Sequence, residues 1–117
     1  SLLQRCGAHC ASAVDVEEAF MAGKVAVESA VAGETGKMVA FKRAEDSAVY
    51  KCEYVLVPLT SVANYEKKVP AEWITPDGTG VTKDFIDYAL PLIQGEIDRP
   101  TENGLPRYAR LKKVLAK

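Results

Sequence analysis

The chain has one histidine, His9, one tryptophan, Trp73, and three cysteines, Cys6, Cys10 and Cys52, among 117 residues. A single histidine excludes a multi-histidine metal site. Three sparse thiols do not build a disulfide scaffold, and reduced thiols in a cytoplasmic protein are expected. No apolar run approaches the ~18–20 residues that cross a bilayer as a helix. The 15 basic and 16 acidic residues leave a formal charge of −1, which gives no general attraction to nucleic acid or acidic lipid. The patterns G-x-x-x-x-G-K-[ST], G-x-G-x-x-G and G-x-S-x-G are absent. One His beside two thiols builds neither a Ser-His-Asp nor a Cys-His arrangement.

What is present is ordinary: 48% hydrophobic, 8% aromatic and 26% charged residues, the values of a globular domain with one core. A complete two-substrate enzyme of the doubly wound type normally needs more chain. The first residue is Ser1, and Leu2-Leu3 soon meets Gln4-Arg5. The reading is a chain cut from something longer or trimmed, without a signal peptide.

Residues 1–14 read as a leading strand or loop that ends in small residues. Asp15 is a good N-cap, with Glu18 completing a D-x-x-E variant of the capping box. A helix is expected over residues 16–32. Its apolar stripe is Val16, Phe20, Gly23, Val27 and Ala30 or Val31, with Gly23 allowing close backbone approach and Gly33 at C′. Residues 37–42 alternate as a half-buried strand. Residues 43–49 are polar and turn-like. Residues 50–59 read as a second strand, exposed on one face in its first half and buried in its second. The two strands form a hairpin or belong to one larger sheet.

A short helix is expected near residues 61–67. An ordered loop over 69–80 contains Trp73 as a packing anchor. Thr82 caps a helix over about 83–93, with Phe85, Ile86, Ala89, Leu90 and Ile93 buried and a kink at Pro91. A loop covers 98–106, and a short basic helix is expected over 107–117, with Leu111, Val114 and Leu115 as its apolar side. The fold class is α/β with about four helices and two or three strands. Two strands make a poor sheet alone, so residues 1–7 or a partner supply more.

Cys6, His9 and Cys10 lie within five residues but lack the second ligand pair that zinc sites use; small residues in a loop are the simpler reading. Gly78-Thr79-Gly80 reads as a turn. Glu17/Glu18 and Glu45/Asp46 read as solvated charges rather than an acid–base pair. The basic tail (Arg107, Arg110, Lys112, Lys113, Lys117) and Lys67-Lys68 are the charge concentrations; the tail is a solvated helix face or a contact to an acidic patch or a phosphate. Gln4-Arg5 precedes a glycine and a run of small residues. A planar guanidinium suits phosphate through two parallel charge-assisted hydrogen bonds, and a loop of small residues also lets backbone N–H groups approach an anion.

Taken together, several stretches resemble a known family. They are Leu3-Gln4-Arg5-Cys6-Gly7, D-x-E-E-A-F-M-A-G-K-x-A-V at Asp15 to Val27, and A-G-E-T-G-K-M-V-A at Ala32 to Ala40. VLVPLTSVANYEKKVPAEWI at Val55 to Ile74 and VTKDFIDYALPLIQGE at Val81 to Glu96 are more particular. In order and spacing they are similar to the C-terminal part of 6-phosphofructokinases, most of all the pyrophosphate-dependent group. The likeness covers nearly the whole chain and weakens after about Asp98.

The resemblance implies one segment, residues 1–117, of a doubly wound phosphofructokinase-like fold. It implies a cytoplasmic glycolytic enzyme, a homo-oligomer, acting on neither nucleic acid nor membrane. Such enzymes phosphorylate fructose 6-phosphate at its 1-position to fructose 1,6-bisphosphate, using pyrophosphate or ATP with magnesium. With pyrophosphate the reaction is readily reversible. The implied fructose 6-phosphate contacts are Arg5, which grips the 6-phosphate, and Gln4. Many relatives carry His or Tyr three residues before that arginine; Leu2 stands there and is left out of the site. The family's GGDG-like donor loop, T-I-D-N-D-like segment and M-G-R-like segment do not occur in these residues. The segment therefore has no catalytic residue, no cofactor contact and no magnesium ligand of its own, and is expected to be inactive alone. The alternatives are a non-catalytic assembly or regulatory segment acting through subunit contacts, and an ATP-dependent phosphofructokinase.

Overall fold

A computed structural model describes residues 2, 7–45 and 47–116. After a 3₁₀ turn at Ala8–Cys10, helix α1 runs over Ala13–Val31, strand β1 over Lys37–Arg43 and strand β2 over Cys52–Pro58. Two 3₁₀ turns follow, at Leu59–Ser61 and Ala71–Trp73. Helix α2, Lys83–Ala89, continues as a 3₁₀ turn at Leu90–Ile93, and a small hairpin pairs β3 (Thr101–Glu102) with β4 (Leu105–Pro106).

Helix α1 starts three residues earlier than the sequence predicts, because Ser12 rather than Asp15 is its cap. The Ser12 hydroxyl accepts from the Asp15 N–H at 3.2 Å and donates to the Leu92 carbonyl at 2.9 Å. The Ala13 and Val14 N–H groups donate to the carbonyls of Gly95 and Gln94 at 3.0 and 3.2 Å. A helix N-terminus normally leaves its first N–H groups without an intrahelical partner; here those of Ala13, Val14 and Asp15 find acceptors within the chain. The contact is close enough to require glycine: Gly95 has φ +80, and a Cβ there would lie 2.8 Å from that of Ala13. At the other end Gly33, φ +91, occupies C′ as expected. Its N–H bonds Ala30 at 3.1 Å and that of Glu34 bonds Ser29 at 3.0 Å, the two bonds of a Schellman motif.

The predicted apolar stripe of α1 is not the side that packs. Val14, Glu18, Met21, Ala22, Val25 and Ser29 are half-buried, and the helix lies against β1, β2 and the turn at Leu90–Ile93. Phe20 and Val31 on the expected stripe are 66% and 85% exposed, and among the described residues nothing beyond the helix's own neighbouring backbone comes within 4 Å of a Cβ built on Gly23. The two stripes are two residues apart, about 200° around a helix of 3.6 residues per turn. Helix α1 is apolar on opposite sides, as helices buried within larger proteins are.

β1 and β2 form an antiparallel hairpin, with Lys37 opposite Pro58 and Arg43 opposite Cys52. Phe41 faces Tyr54 edge-on at 6.0 Å between centroids. The second half of β2, expected to be buried, is only half-buried, because no third layer covers it among the described residues. A third strand from residues 1–7 falls largely outside the described residues. The short helix expected at 61–67 is replaced by the turn at Leu59–Ser61, with Asn64 at φ 66.

Helix α2 gives way to a 3₁₀ turn at Leu90, where Pro91 interrupts the α pattern as predicted. Thr82 sits at the N-cap, but its side chain makes no capping bond, and its Oγ1 is buried without a hydrogen-bond partner among the described residues. Phe85 and Ala89 are half-buried, whereas Ile86, Leu90 and Ile93, expected inside, are exposed. Trp73 is the anchor expected of it, lying 6.3 Å from the Phe85 ring and 5.1 Å from that of Tyr88. The preceding loop is pinned by Asp77, whose carboxylate accepts from the Thr75 and Thr79 hydroxyls. The bond from Thr75, then those from Thr79, hold its carboxyl down at about 2.

Residues 107–116 form no helix, contrary to expectation, and Leu111 is 92% exposed. A segment this short is marginal as a helix without a surface for its apolar side. Among the described residues Ser12 alone is buried, and no hydrophobic side chain is. The radius of gyration is 18.5 Å, against about 13 Å for a closely packed domain of similar length.

The Ser12 arrangement makes a direct prediction. Ser12→Ala removes the cap and the Leu92 bond together and lowers stability by about 1–2 kcal/mol in urea denaturation. Ser12→Asp can still accept from Asp15 but cannot donate to Leu92, so it recovers only part. Full recovery by Ser12→Asp contradicts a role for the Leu92 bond.

Candidate functional site

Gln4 and Arg5, the residues singled out for sugar-phosphate contact, and Cys6 lie outside the described residues. What the structure places is the support immediately downstream of them. Gly7 accepts from the Cys10 N–H at 2.9 Å, closing the 3₁₀ turn that leads to Ser12. The backbone N–H groups that a loop of small residues can offer to an anion are taken at the start of α1: those of Ala13, Val14 and Asp15 all bond within the chain. Those three groups are therefore not open to an anion.

A second centre lies where α1, the β1–β2 hairpin and α2 meet. The Arg43 guanidinium is sandwiched between the Tyr50 and Tyr88 rings, 4.9 and 4.8 Å from their centroids. It also donates to the Tyr88 carbonyl at 2.6 Å. The Tyr50 hydroxyl donates to Glu18 at 2.5 Å. These groups, with Asp15, Phe41 and Lys67, line a cleft of about 490 Å³. Burial, then the hydrogen bond to Glu18 and its charge, push the Tyr50 phenol well above its usual value. Burial also pushes the Cys52 thiol up, which disfavours the nucleophilic thiolate.

Arg43 was hidden in a stretch that the sequence presents only as a polar turn. An Arg and a Tyr seven positions apart on a hairpin are a weak hint of stacking, and nothing in the sequence brings Tyr88 to them. With two rings and a carbonyl engaged, Arg43 ties the hairpin to α2, a structural use of the cation–π contact. Glu18, read as a solvated charge, is instead half-buried and serves as Tyr50's acceptor.

Of the other candidates, the structure describes those outside residues 3–6, 46 and 117. Cys10 and His9 are exposed, and among the described residues no group of three or more His, Cys, Asp or Glu side chains could hold a metal ion. Gly78-Thr79-Gly80 is the turn expected, with Gly78 N–H donating to Thr75 O at 2.8 Å. Glu45 pairs with Lys42 at 3.6 Å, and Asp46 is outside the described residues. No helix of the described residues is long and apolar enough to cross a membrane.

Comparison with known proteins extends this picture. No protein-family model matches the chain. The pyrophosphate–fructose 6-phosphate 1-phosphotransferase of Halomonas elongata is 46% identical over 111 residues, which are 95% of this chain and 26% of that protein. The corresponding protein of Methylococcus capsulatus is 45% identical over 96% of this chain and 26% of its own length. Crystal structures of pyrophosphate-dependent phosphofructokinases from Nitrosospira multiformis and Marinobacter aquaeolei both align with a TM-score of 0.89, at 44% and 45% identity. They cover 97% and 98% of this chain, which spans 28% and 29% of theirs. In sequence and fold the chain is thus similar, almost throughout, to one segment of a phosphofructokinase. Within that class the likeness is to the pyrophosphate-dependent group, and it spans about a quarter of the length of the curated relatives it matches. The names of these relatives specify pyrophosphate, so they give the ATP-dependent alternative no support.

The Tyr50–Glu18 bond makes stability depend on alkaline pH. The phenol keeps its proton to a higher pH when folded than when unfolded, where it titrates near 10. Its contribution is thus complete below about pH 10 and is lost as pH rises through the folded value. Tyr54 and Cys52 are also raised, so the comparison with Tyr50→Phe isolates the Tyr50 phenol, whose rise comes from burial first and from Glu18 second. Tyr50→Phe loses about 1 kcal/mol near neutral pH, a modest amount because the pair is partly solvated, and its denaturation midpoint falls less steeply above pH 10. Parallel alkaline profiles for the two chains refute the assignment.

Proposed function

We propose that the chain is a C-terminal segment, residues 1–117 acting as one unit, of a pyrophosphate-dependent 6-phosphofructokinase. In this reading it contributes part of the acceptor pocket: Arg5 holds the 6-phosphate of fructose 6-phosphate and Gln4 assists. The parent enzyme transfers a phosphoryl group from pyrophosphate to the 1-hydroxyl and forms fructose 1,6-bisphosphate. The observation that carries this is the joint likeness in sequence and fold, 44% identity with a TM-score of 0.89 across 97% of the chain. In phosphoryl transfer the protein works mainly by positioning and charge stabilisation. Arg5 supplies one such element, a planar fork matched to a phosphate.

Magnesium is expected of the parent enzyme. The described residues bring no set of ligands together for it, so none of them is assigned to the ion. A cytoplasmic location and homo-oligomeric assembly complete the proposal. The purified 117-residue chain is expected to show no turnover with fructose 6-phosphate and either pyrophosphate or ATP; measurable turnover refutes the division of labour. Any residual fructose 6-phosphate binding, followed by calorimetry, is expected to be lost in Arg5→Ala.

One observation favours a second, non-catalytic role as an assembly segment. No hydrophobic side chain of the described residues is buried, and Phe20, Val27 and Val31 form an exposed row along α1. Contiguous apolar surface of this kind marks interaction faces. The chain is expected to self-associate through it, giving a concentration-dependent mass in sedimentation that Phe20→Lys reduces. A strictly monomeric mass at high concentration is evidence against this role.

A further inference from the structure

The pairing of Ala13 and Val14 with Gly95 and Gln94 brings two arms of the chain to the same end of α1: residues 7–10 before the helix and residues 99–108 beyond Gly95. Between them lies a cleft of about 480 Å³ lined by Gly7, His9, Arg99, Thr101, Gly104 and Tyr108, with Pro106. Its volume is within the about 300–1,000 Å³ of small-molecule sites. Four other clefts on the described residues each include at least one carboxylate: Glu102, Asp15 with Glu18, Glu45 with Glu53, and Glu17 with Glu18. This cleft includes none.

We propose that this cleft is a binding site for a phosphate group. Four of the residues that line it carry side-chain donors of the kind an anion needs: Arg99 a guanidinium, His9 an imidazole, and Thr101 and Tyr108 hydroxyls. Arg99 is held by Glu96 at 3.1 Å through one terminal nitrogen. A guanidinium carries five N–H donors, so that pair engages one terminal nitrogen and leaves donors for a ligand. The small hairpin that carries Thr101 and Gly104 turns at Asn103 and Gly104, with φ 52 and 77, and is extended by the Arg107 N–H bond to Pro100 O at 2.8 Å. Arg107 and Arg110, together with Glu102, line the adjoining cleft, which shares Pro106 and Tyr108, and leave a net positive charge beside the site. The function proposed above bears on this inference in one respect: it makes a sugar phosphate a candidate source of the phosphate group.

The test is titration of the chain with fructose 6-phosphate, inorganic phosphate, pyrophosphate and fructose, following the ring resonances of His9 and Tyr108 by nuclear magnetic resonance. Saturable shifts are expected with the phosphorylated ligands and not with fructose. Tighter binding of fructose 6-phosphate than of inorganic phosphate identifies a sugar phosphate as the source; equal or weaker binding identifies a free phosphoanion. Arg99→Gln, at a surface position, is expected to weaken binding about tenfold, the loss of one charge-assisted hydrogen bond, with an unchanged circular dichroism spectrum. Absence of saturable shifts, or an Arg99→Gln chain that binds as tightly, overturns the proposal. If Arg5→Ala abolishes fructose 6-phosphate binding while Arg99→Gln has no effect, this site fails and the acceptor contact stands. If Arg99→Gln weakens binding and Arg5→Ala does not, the reverse holds.

Discussion

The arrangement of the described residues depends on how the N-terminus of α1 is satisfied. Three N–H groups at that end need acceptors, and the chain supplies them from Ser12 and from the carbonyls of Gln94 and Gly95. The Ser12 hydroxyl, donating onward to Leu92, makes the cap and the long-range contact a single unit. Such a contact joins residues about eighty positions apart, so its closure entropy must be offset by bonds made together. Gly95 allows the approach, and the half-buried side of α1 then lies along the hairpin and the Leu90–Ile93 turn.

The same helix explains why the molecule remains open. Its Val14–Met21–Val25 side packs on the hairpin, and its Phe20–Val27–Val31 side has no cover among the described residues. A two-stranded hairpin with one helix beside it is too thin to bury a side chain completely, since a sheet needs more strands or a second layer. Individual ties then matter more. Arg43, stacked between Tyr50 and Tyr88, links the hairpin to α2, and the Tyr50–Glu18 bond links it to α1. Both are polar or cation–π contacts, which hold orientation without needing a deep apolar interior.

The sequence discloses the elements better than their partners. The α1 C-terminus at Gly33, the two main strands and the break at Pro91 follow from local chemistry and stand in the structure. The start of α1 does not, because Ser12 and Asp15 are both good caps, and the choice between them is made by Leu92 and Gly95 far along the chain. Both sides of α1 are apolar, so periodicity cannot say which of them meets the hairpin. The small hairpin at Thr101–Pro106 was legible in principle: Asn103-Gly104 is a type I′ signal. The helix expected over residues 107–117 rested on an apolar side with nothing to cover it. Of the site, Gln4-Arg5 was legible only through its likeness to a family, whereas the junction of His9 with Arg99 and Tyr108 is created by the clamp and has no local sequence signal.

That junction bears on how an anion is held near α1. A helix N-terminus attracts phosphate because its N–H groups are unpaired and carry the positive end of the dipole. In this chain the carbonyls of Gln94 and Gly95 already occupy the Ala13 and Val14 N–H groups, and Ser12 occupies that of Asp15. A phosphate arriving there cannot use them without breaking the contact that organises the fold. Side-chain donors on the two arms that this contact draws together do not compete with it. Guanidinium, imidazole and hydroxyl donors on separate arms can be brought to one ligand only if those arms keep their spacing. Recognition in this segment thus depends on the Ser12–Leu92–Gly95 contact as much as on the residues that touch the ligand.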